Sequence, residues 1–287
     1  MRIPSAISGI LMATGAAAVE PALPAPSTTA AAMIERFLPV AADRIMAMAE
    51  DFRIEQAVIE RGLLGERPGS ASTASLREVQ GIAEAWVSPI HQGSEPDPAG
   101  ATQAALAIGW VMRQHSLGLG LPPEGVVQQL RRRPAGATSG IAPENSQRLL
   151  SELVDGMADE RRARNQEWLD ARARLPGVEV TASGLQIERL APVAAGVAPT
   201  TASTVRVRYR GWLPQGVEFD RSGDEPTEFQ VIQLIPGWTE TLLLMKPGET
   251  CRITCPPRLA YDDSGSPPLI GPAQILQFEL TLMEILP

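Results

Sequence analysis

A single change of periodicity, at Pro176-Gly177, governs what this chain can fold into. Before it, apolar residues recur at the three- and four-residue spacing of helices; after it, they alternate with polar ones as in strands. Ile34, Phe37, Leu38, Ile45, Met46, Met48, Phe52, Val58, Ile59 and Leu63 set the first helical run, with a break expected near Pro39. Ser75-Leu-Arg-Glu78 has the form of a capping box, opening a helix that carries Val79, Ile82, Trp86 and Val87. Another helical run starts at Ala101 and is expected to stop in Leu-Gly-Leu-Gly-Leu-Pro-Pro-Glu-Gly, which begins at Leu117. Pro122 or Pro123 then starts the helix of Val126, Val127 and Leu130. No strand pattern precedes that glycine-rich stretch, which makes a dinucleotide loop a weak reading.

Glu144 to Leu175 contains no proline and only Gly156, and predicts one helix of about 48 Å at ~1.5 Å per residue. Its first half is amphipathic, through Leu149, Leu150, Leu153, Val154 and Met157. From Asp159 to Arg174 it is charged almost all round. A helix of that kind gains little from packing and is expected to be a spacer between domains or one partner in a dimer. Beyond Pro176 strands are expected at 178–190, 204–210, 250–255 and 274–285, interrupted by one short helix at 237–245. The expected fold class is α+β, an all-helical first part followed by an antiparallel sheet with a short helix.

Composition removes several chemistries. A net charge of −8 and a pI near 5.0 argue against a nucleic-acid partner, which needs a basic face. Lys246 is the single lysine, which leaves lysine-based covalent catalysis almost no candidates. Two histidines, His91 and His115, leave little for a zinc site or a Ser-His-Asp triad, and both are expected on helix surfaces. Cys251 and Cys255 would share a strand face about 13 Å apart at ~3.3 Å per residue, too far for a disulfide. No metal or cofactor is expected. After Arg2, the uncharged run Ile3 to Val19 ends in Ala16-Ala17-Ala18. It fits a secretory signal with a small-residue cleavage site; a flexible alanine-rich tail is the alternative. Residues 20–30 read as a Pro/Ala linker, and no later stretch of ~20 apolar residues could span a membrane.

The twelve aromatic residues are unevenly spread. Tyr209, Trp212, Phe219, Phe229, Trp238, Tyr261 and Phe278 all follow the periodicity change. They could simply fill a core, but two details favour a pocket. Trp238 follows Ile235-Pro-Gly at a strand-to-helix turn, and Asp220 sits beside Phe219, where an acid needs a buried partner or solvent.

These residues and their neighbours resemble the FKBP-type peptidyl-prolyl cis-trans isomerases. The resemblance runs through Val205-Arg-Val-Arg-Tyr-Arg-Gly211, Gly216-Val-Glu-Phe-Asp220, Phe229-Gln-Val-Ile-Gln-Leu-Ile-Pro-Gly-Trp-Thr-Glu240, Leu244-Met-Lys-Pro-Gly248, Leu259-Ala-Tyr261, Ile270-Gly-Pro272 and Leu276-Gln-Phe-Glu-Leu280. It is nearest to the bacterial periplasmic, macrophage infectivity potentiator-like branch, in which a helical N-terminal domain dimerises and a long helix carries the isomerase domain. Residues 101–190 are more loosely similar to that domain. The implied organisation is a signal peptide and linker at 1–27, an additional helical region at 28–100, a dimerisation domain at 101–176 with its long helix at 144–175, and the isomerase domain at 177–287. Residues 1–100 resemble no family.

The resemblance implies a sheet wrapped over the short helix with the substrate proline between them. Asp220, Tyr261, Trp238 and Phe219 would be catalytic, and Tyr209, Phe229, Leu234, Ile235, Ile270 and Phe278 would bind substrate. Trp238 would be the floor, the Ile235 N–H and the Tyr261 hydroxyl would donate to substrate carbonyls, and Asp220 would accept from Tyr209 or approach the twisted imide. Implied partners are proline-containing unfolded polypeptides, a second copy of the chain and macrolides of the FK506/rapamycin type. Implied localisation is periplasmic, or cytoplasmic if the N-terminal run is not a signal. The competing expectation is a holdase-type chaperone dimer that uses exposed helical methionines, Met33, Met46, Met48 and Met157. Two positions depart from the family pattern: Asp262 stands where glycine usually follows the tyrosine, and Ala273 where asparagine usually follows Gly-Pro.

Overall fold

In the computed structural model, residues 20–22, 26–69, 76–95, 98–132, 140–266 and 269–287 are described. The run Ile3 to Val19, Ser75 of the capping box and most of the expected loop at 134–143 lie outside them.

Six helices come first: α1 (Thr28–Asp51), α2 (Gln56–Leu63), α3 (Leu76–His91), α4 (Ala101–Leu119), α5 (Pro123–Arg131) and α6 (Pro143–Ala173). The Ser27 hydroxyl accepts from the Ala30 N–H and caps α1. The break expected near Pro39 does not occur. The buried stripe Ile34, Phe37, Leu38, Val40, Ala42, Ile45, Met46 and Ala49 continues through the proline. Packing along both halves outweighs the ~3 kcal/mol of an interior proline. The chain turns instead at Phe52 and Arg53, the latter at φ 51°. Gly120, at φ 84°, closes α4 in a left-handed cap, and Pro122-Pro123 opens α5 as expected.

The second part is a seven-stranded sheet built from β1 (Val178–Val180), β2 (Gln186–Ala191), β3 (Thr204–Trp212), β4 (Glu218–Arg221), β5 (Thr227–Gln230), β6 (Thr250–Cys255) and β7 (Leu276–Leu286). Helix α7 (Pro236–Leu244) packs on it through Trp238 and Leu242. The order is β1-β2-β6-β7-β3-β4, all antiparallel, with β5 beside the first half of β3 and β4 beside the second. The single strand expected at 178–190 is folded at a tight turn, Thr181 N–H to Leu185 O and Gly184 N–H to Thr181 O, both 2.9 Å. Strands β4 and β5 have four residues each, too few to show alternation in a sequence. Cys251 and Cys255 are free and buried on β6, and burial pushes the Cys251 thiol up to about 11.

The charged second half of α6 is not a bare spacer, because it lies against the sheet. Trp168, Leu169 and Ile275 form a small buried cluster. Arg161 donates to Gly118 O at 2.8 Å and Pro272 O at 3.1 Å, and Asn165 donates to Ala273 O at 2.8 Å. Arg172, fully buried, donates to Gln186 Oε1 at 3.3 Å and to Glu20 Oε2 at 3.2 Å. Long arginines reach carbonyls that a helix cannot reach by backbone, and their charge makes the stretch look solvated in the sequence. Among the described residues no helix is long and apolar enough to cross a membrane.

Candidate functional site

Strand β3 places Val205, Val207, Tyr209 and Gly211 on one face, because side chains alternate along a strand. Register sets Gly211 opposite both Asp220 on β4 and Phe278 on β7. Without a side chain there, Phe219 and Phe278 meet edge to face, with centroids 5.4 Å apart. A Cβ on Gly211 would lie 2.7 Å from Phe219 Cζ and 2.9 Å from Phe278 Cδ1.

Trp238 enters from the first turn of α7 and is 4% exposed. Its ring stands edge to face with Tyr209 at 5.1 Å, Phe278 at 5.3 Å and Phe229 at 5.5 Å. These rings, with Phe219, Asp220, Leu234, Ile235, Tyr261 and Ile270, surround a cavity of about 500 Å³. All ten residues singled out in the sequence therefore meet at one place. Leu76, Arg77, Gln80, Gln233, Ser266 and Leu269 also line it and were not foreseen. The first three belong to α3, where the sequence carried no sign of a pocket. Trp212 lies outside the cavity, with the Arg210 guanidinium 5.7 Å from its ring.

The polar groups are few. The Tyr209 hydroxyl donates to Asp220 Oδ2 at 2.8 Å, and the Arg221 N–H donates to Asp220 Oδ1 at 2.9 Å. Burial first, then the Asp220 hydrogen bond, raises the Tyr209 pKa well above the ordinary phenol, so it stays a donor at any ordinary pH. Burial and the Asp220 charge raise Tyr261 in the same direction. No hydrogen bond from the Tyr261 hydroxyl or the Ile235 N–H occurs among the described residues, so both are open to a ligand. Trp238 Nε1 is buried without an acceptor among those residues.

Asp262 and Ala273, which depart from the family pattern, both have left-handed backbones, at φ 46° and φ 55°. The Ala273 N–H donates to Asp262 O at 2.9 Å, tying the two ends of the wall that carries Ile270. Glycine and asparagine suit that conformation, and Asp262 and Ala273 adopt it here with side chains that suit it less.

Corrections to the expectations concern the histidines. His91 is exposed and meets Phe52 ring to ring at 5.3 Å, but His115 is largely buried, its Nε2 unpartnered among the described residues. Burial lowers its pKa. Among the described residues no group of three His, Cys, Asp or Glu could hold a metal ion.

The model of the family "FKBP-type peptidyl-prolyl cis-trans isomerase" matches residues 196–283. The chain is 36% identical over 196 residues to the FKBP-type 22 kDa peptidyl-prolyl cis-trans isomerase of Escherichia coli (strain K12), covering 64% of this chain and 95% of that protein. It is 31% identical over 181 residues to the outer membrane protein MIP of Legionella longbeachae, covering 58% and 77%. Superposition on the crystal structure of FkpA from Escherichia coli gives a TM-score of 0.46 at 30% identity, over 61% of this chain and 87% of that one. The chain belongs to the FKBP-type peptidyl-prolyl cis-trans isomerases, in the branch of Mip and FkpA. It is therefore an enzyme that interconverts the two isomers of X-Pro bonds.

Proposed function

We propose that the aromatic cavity between β3, β7 and α7 is where the isomerisation occurs, and that the enzyme serves the folding of exported polypeptides. The observation that carries the first part is the three-sided ring contact on Trp238, which floors the cavity with aromatic surface, with two unclaimed donors among the residues that line it. Rotation about X-Pro faces a barrier of ~20 kcal/mol and takes tens of seconds unaided. The planar amide separates charge and the twisted one does not. An apolar box therefore favours the twisted form, while the Ile235 N–H and the Tyr261 hydroxyl hold the flanking carbonyls. Lowering the barrier by ~7 kcal/mol gives about a 10⁵-fold acceleration with no nucleophile. Asp220 keeps Tyr209 oriented against the indole.

The N-terminal run fits export to the periplasm, and the helical arm at 101–176 fits dimerisation; a macrolide of the FK506/rapamycin type would compete for the same cavity. The change from α6, which ends at Ala173, to β1, which begins at Val178, supports a domain partition near Pro176. The holdase alternative draws on the helical methionines, but Met46 and Met157 are buried and Met33 and Met48 pack against the helical core, which favours the isomerase reading. Tyr261→Phe and Asp220→Leu alter partly exposed groups and leave the core intact. Each is expected to lower kcat/KM on an Xaa-Pro peptide by about five- to tenfold, ~1–1.4 kcal/mol. Wild-type rates in both variants would remove the cavity from the reaction.

A further inference from the structure

Helix α3 lies outside residues 196–283, which the family model matches, yet it borders the cavity. Leu76 is 4% exposed and Val79 fully buried, and both belong to the apolar cluster that contains Trp238, Ile270 and Phe278. That face holds the helix against the sheet. Two loose charge contacts run from its first turn to β4: Arg77 Nη2 lies 4.0 Å from Asp220 Oδ1, and Glu78 Oε2 lies 3.8 Å from Arg221 Nη2. Leu76, Arg77 and Gln80 line one side of the cavity, Leu76 buried and the Arg77 side chain exposed at its rim.

The Arg77 side chain is 85% exposed and stands too far from Asp220 for a hydrogen bond. A cation in the first turn also runs against the helix dipole, so helix stability does not account for it. With α3 as one wall the cavity still measures about 500 Å³, so the helix borders the space and does not fill it.

We infer that Arg77 is a specificity-determining residue, recruiting substrates with an acidic side chain immediately before or after the proline. The inference rests on the cavity being the isomerase site. With the proline in the cavity, its chain neighbours lie at the mouth, a few ångströms on at ~3.3 Å per extended residue. A guanidinium on a flexible stem reaches a carboxylate there in a forked geometry. Gln80, one turn further along α3, adds a neutral donor and acceptor to the same wall.

The test uses the full chain and short peptides Ala-Xaa-Pro-Phe and Ala-Leu-Pro-Xaa, with Xaa Glu, Leu or Lys, followed by NMR exchange. The readout is the ratio of kcat/KM for Glu over Lys, each normalised to Leu. Reversing the charge with Arg77→Glu is expected to lower that ratio about five- to thirtyfold at low salt on at least one side of the proline, less at high salt. Arg77→Lys should restore part of it. A ratio unmoved on both sides, or a common rise in all rates on removing the side chain, would overturn the inference; the second result would make α3 a cover. Trp238→Leu serves as the reference. A collapsed rate there with an unmoved Arg77 ratio refutes the inference alone, whereas an unchanged rate refutes the cavity as the site and this inference with it.

Discussion

Gly211→Ala gives the sharpest test of the geometry. The added methyl would sit 2.7 and 2.8 Å from Phe219 Cζ and Cε2, and 2.9 Å from Phe278 Cδ1. Carbon atoms rest at ~3.5–4.0 Å, so the two rings must withdraw by about 0.6–1 Å. Overpacking of this kind costs ~1–3 kcal/mol, and replacing glycine in an extended strand returns ~0.5–1 kcal/mol. The net expectation is a loss of about 0–2.5 kcal/mol in urea unfolding. Activity should fall further than stability, because both displaced rings line the cavity and misplacement by ~1 Å can cost about a hundredfold in rate. The assay is kcat/KM on a Leu-Pro peptide at a temperature where the variant is fully folded. Gly223→Ala is the control: a Cβ there meets nothing within 4 Å and the backbone is not left-handed. Activity of Gly211→Ala within twofold of Gly223→Ala would show that the Phe219–Phe278 pair does not shape the reacting volume.

Other expectations concern the parts around the cavity. Asn165→Leu removes the donor to Ala273 O and should destabilise by ~1–2 kcal/mol in urea unfolding, with a smaller relative loss of activity. A stability unchanged within error would mean the carbonyl finds water. Asp262→Val places a β-branched residue at φ 46° and should cost ~1–2 kcal/mol, whereas Asp262→Gly should stay within ~0.5 kcal/mol of wild type; equal effects would argue against a left-handed backbone there. For His115 the folded state binds the proton less tightly than the unfolded chain. The unfolded state therefore takes it up first as pH drops through about 6.5, and stability declines from there until the lower folded-state pKa is passed. His115→Gln should flatten that part of a stability–pH curve, and an unchanged slope would refute the assignment.

The cavity was readable from sequence because seven of the chain's twelve aromatic residues follow the periodicity change and sit in spaced, ordered segments. The sheet was readable in its long strands, through alternation, and unreadable in β4 and β5, which are too short for a period. Pro39 misled because a local penalty was weighed without the stripe of burial on both sides of it. The second half of α6 misled for a related reason: Arg161 and Arg172 read as solvated charge but spend their donors on carbonyls and carboxylates across the fold. Arg77 gave no sign at all, since an exposed arginine on a surface helix means nothing until the opposite wall is known.

The grip of α6 on the sheet bears on how the molecule is cut and pulled apart. The periodicity changes at Pro176, but cleavage there would strip Pro272 O and Ala273 O of their side-chain donors and bare Ile275. The sequence boundary and the energetic boundary are thus different lines. The isolated sheet would melt below its temperature in the whole chain, and heating the intact protein should couple the loss of α6 to the loosening of the wall beside the cavity.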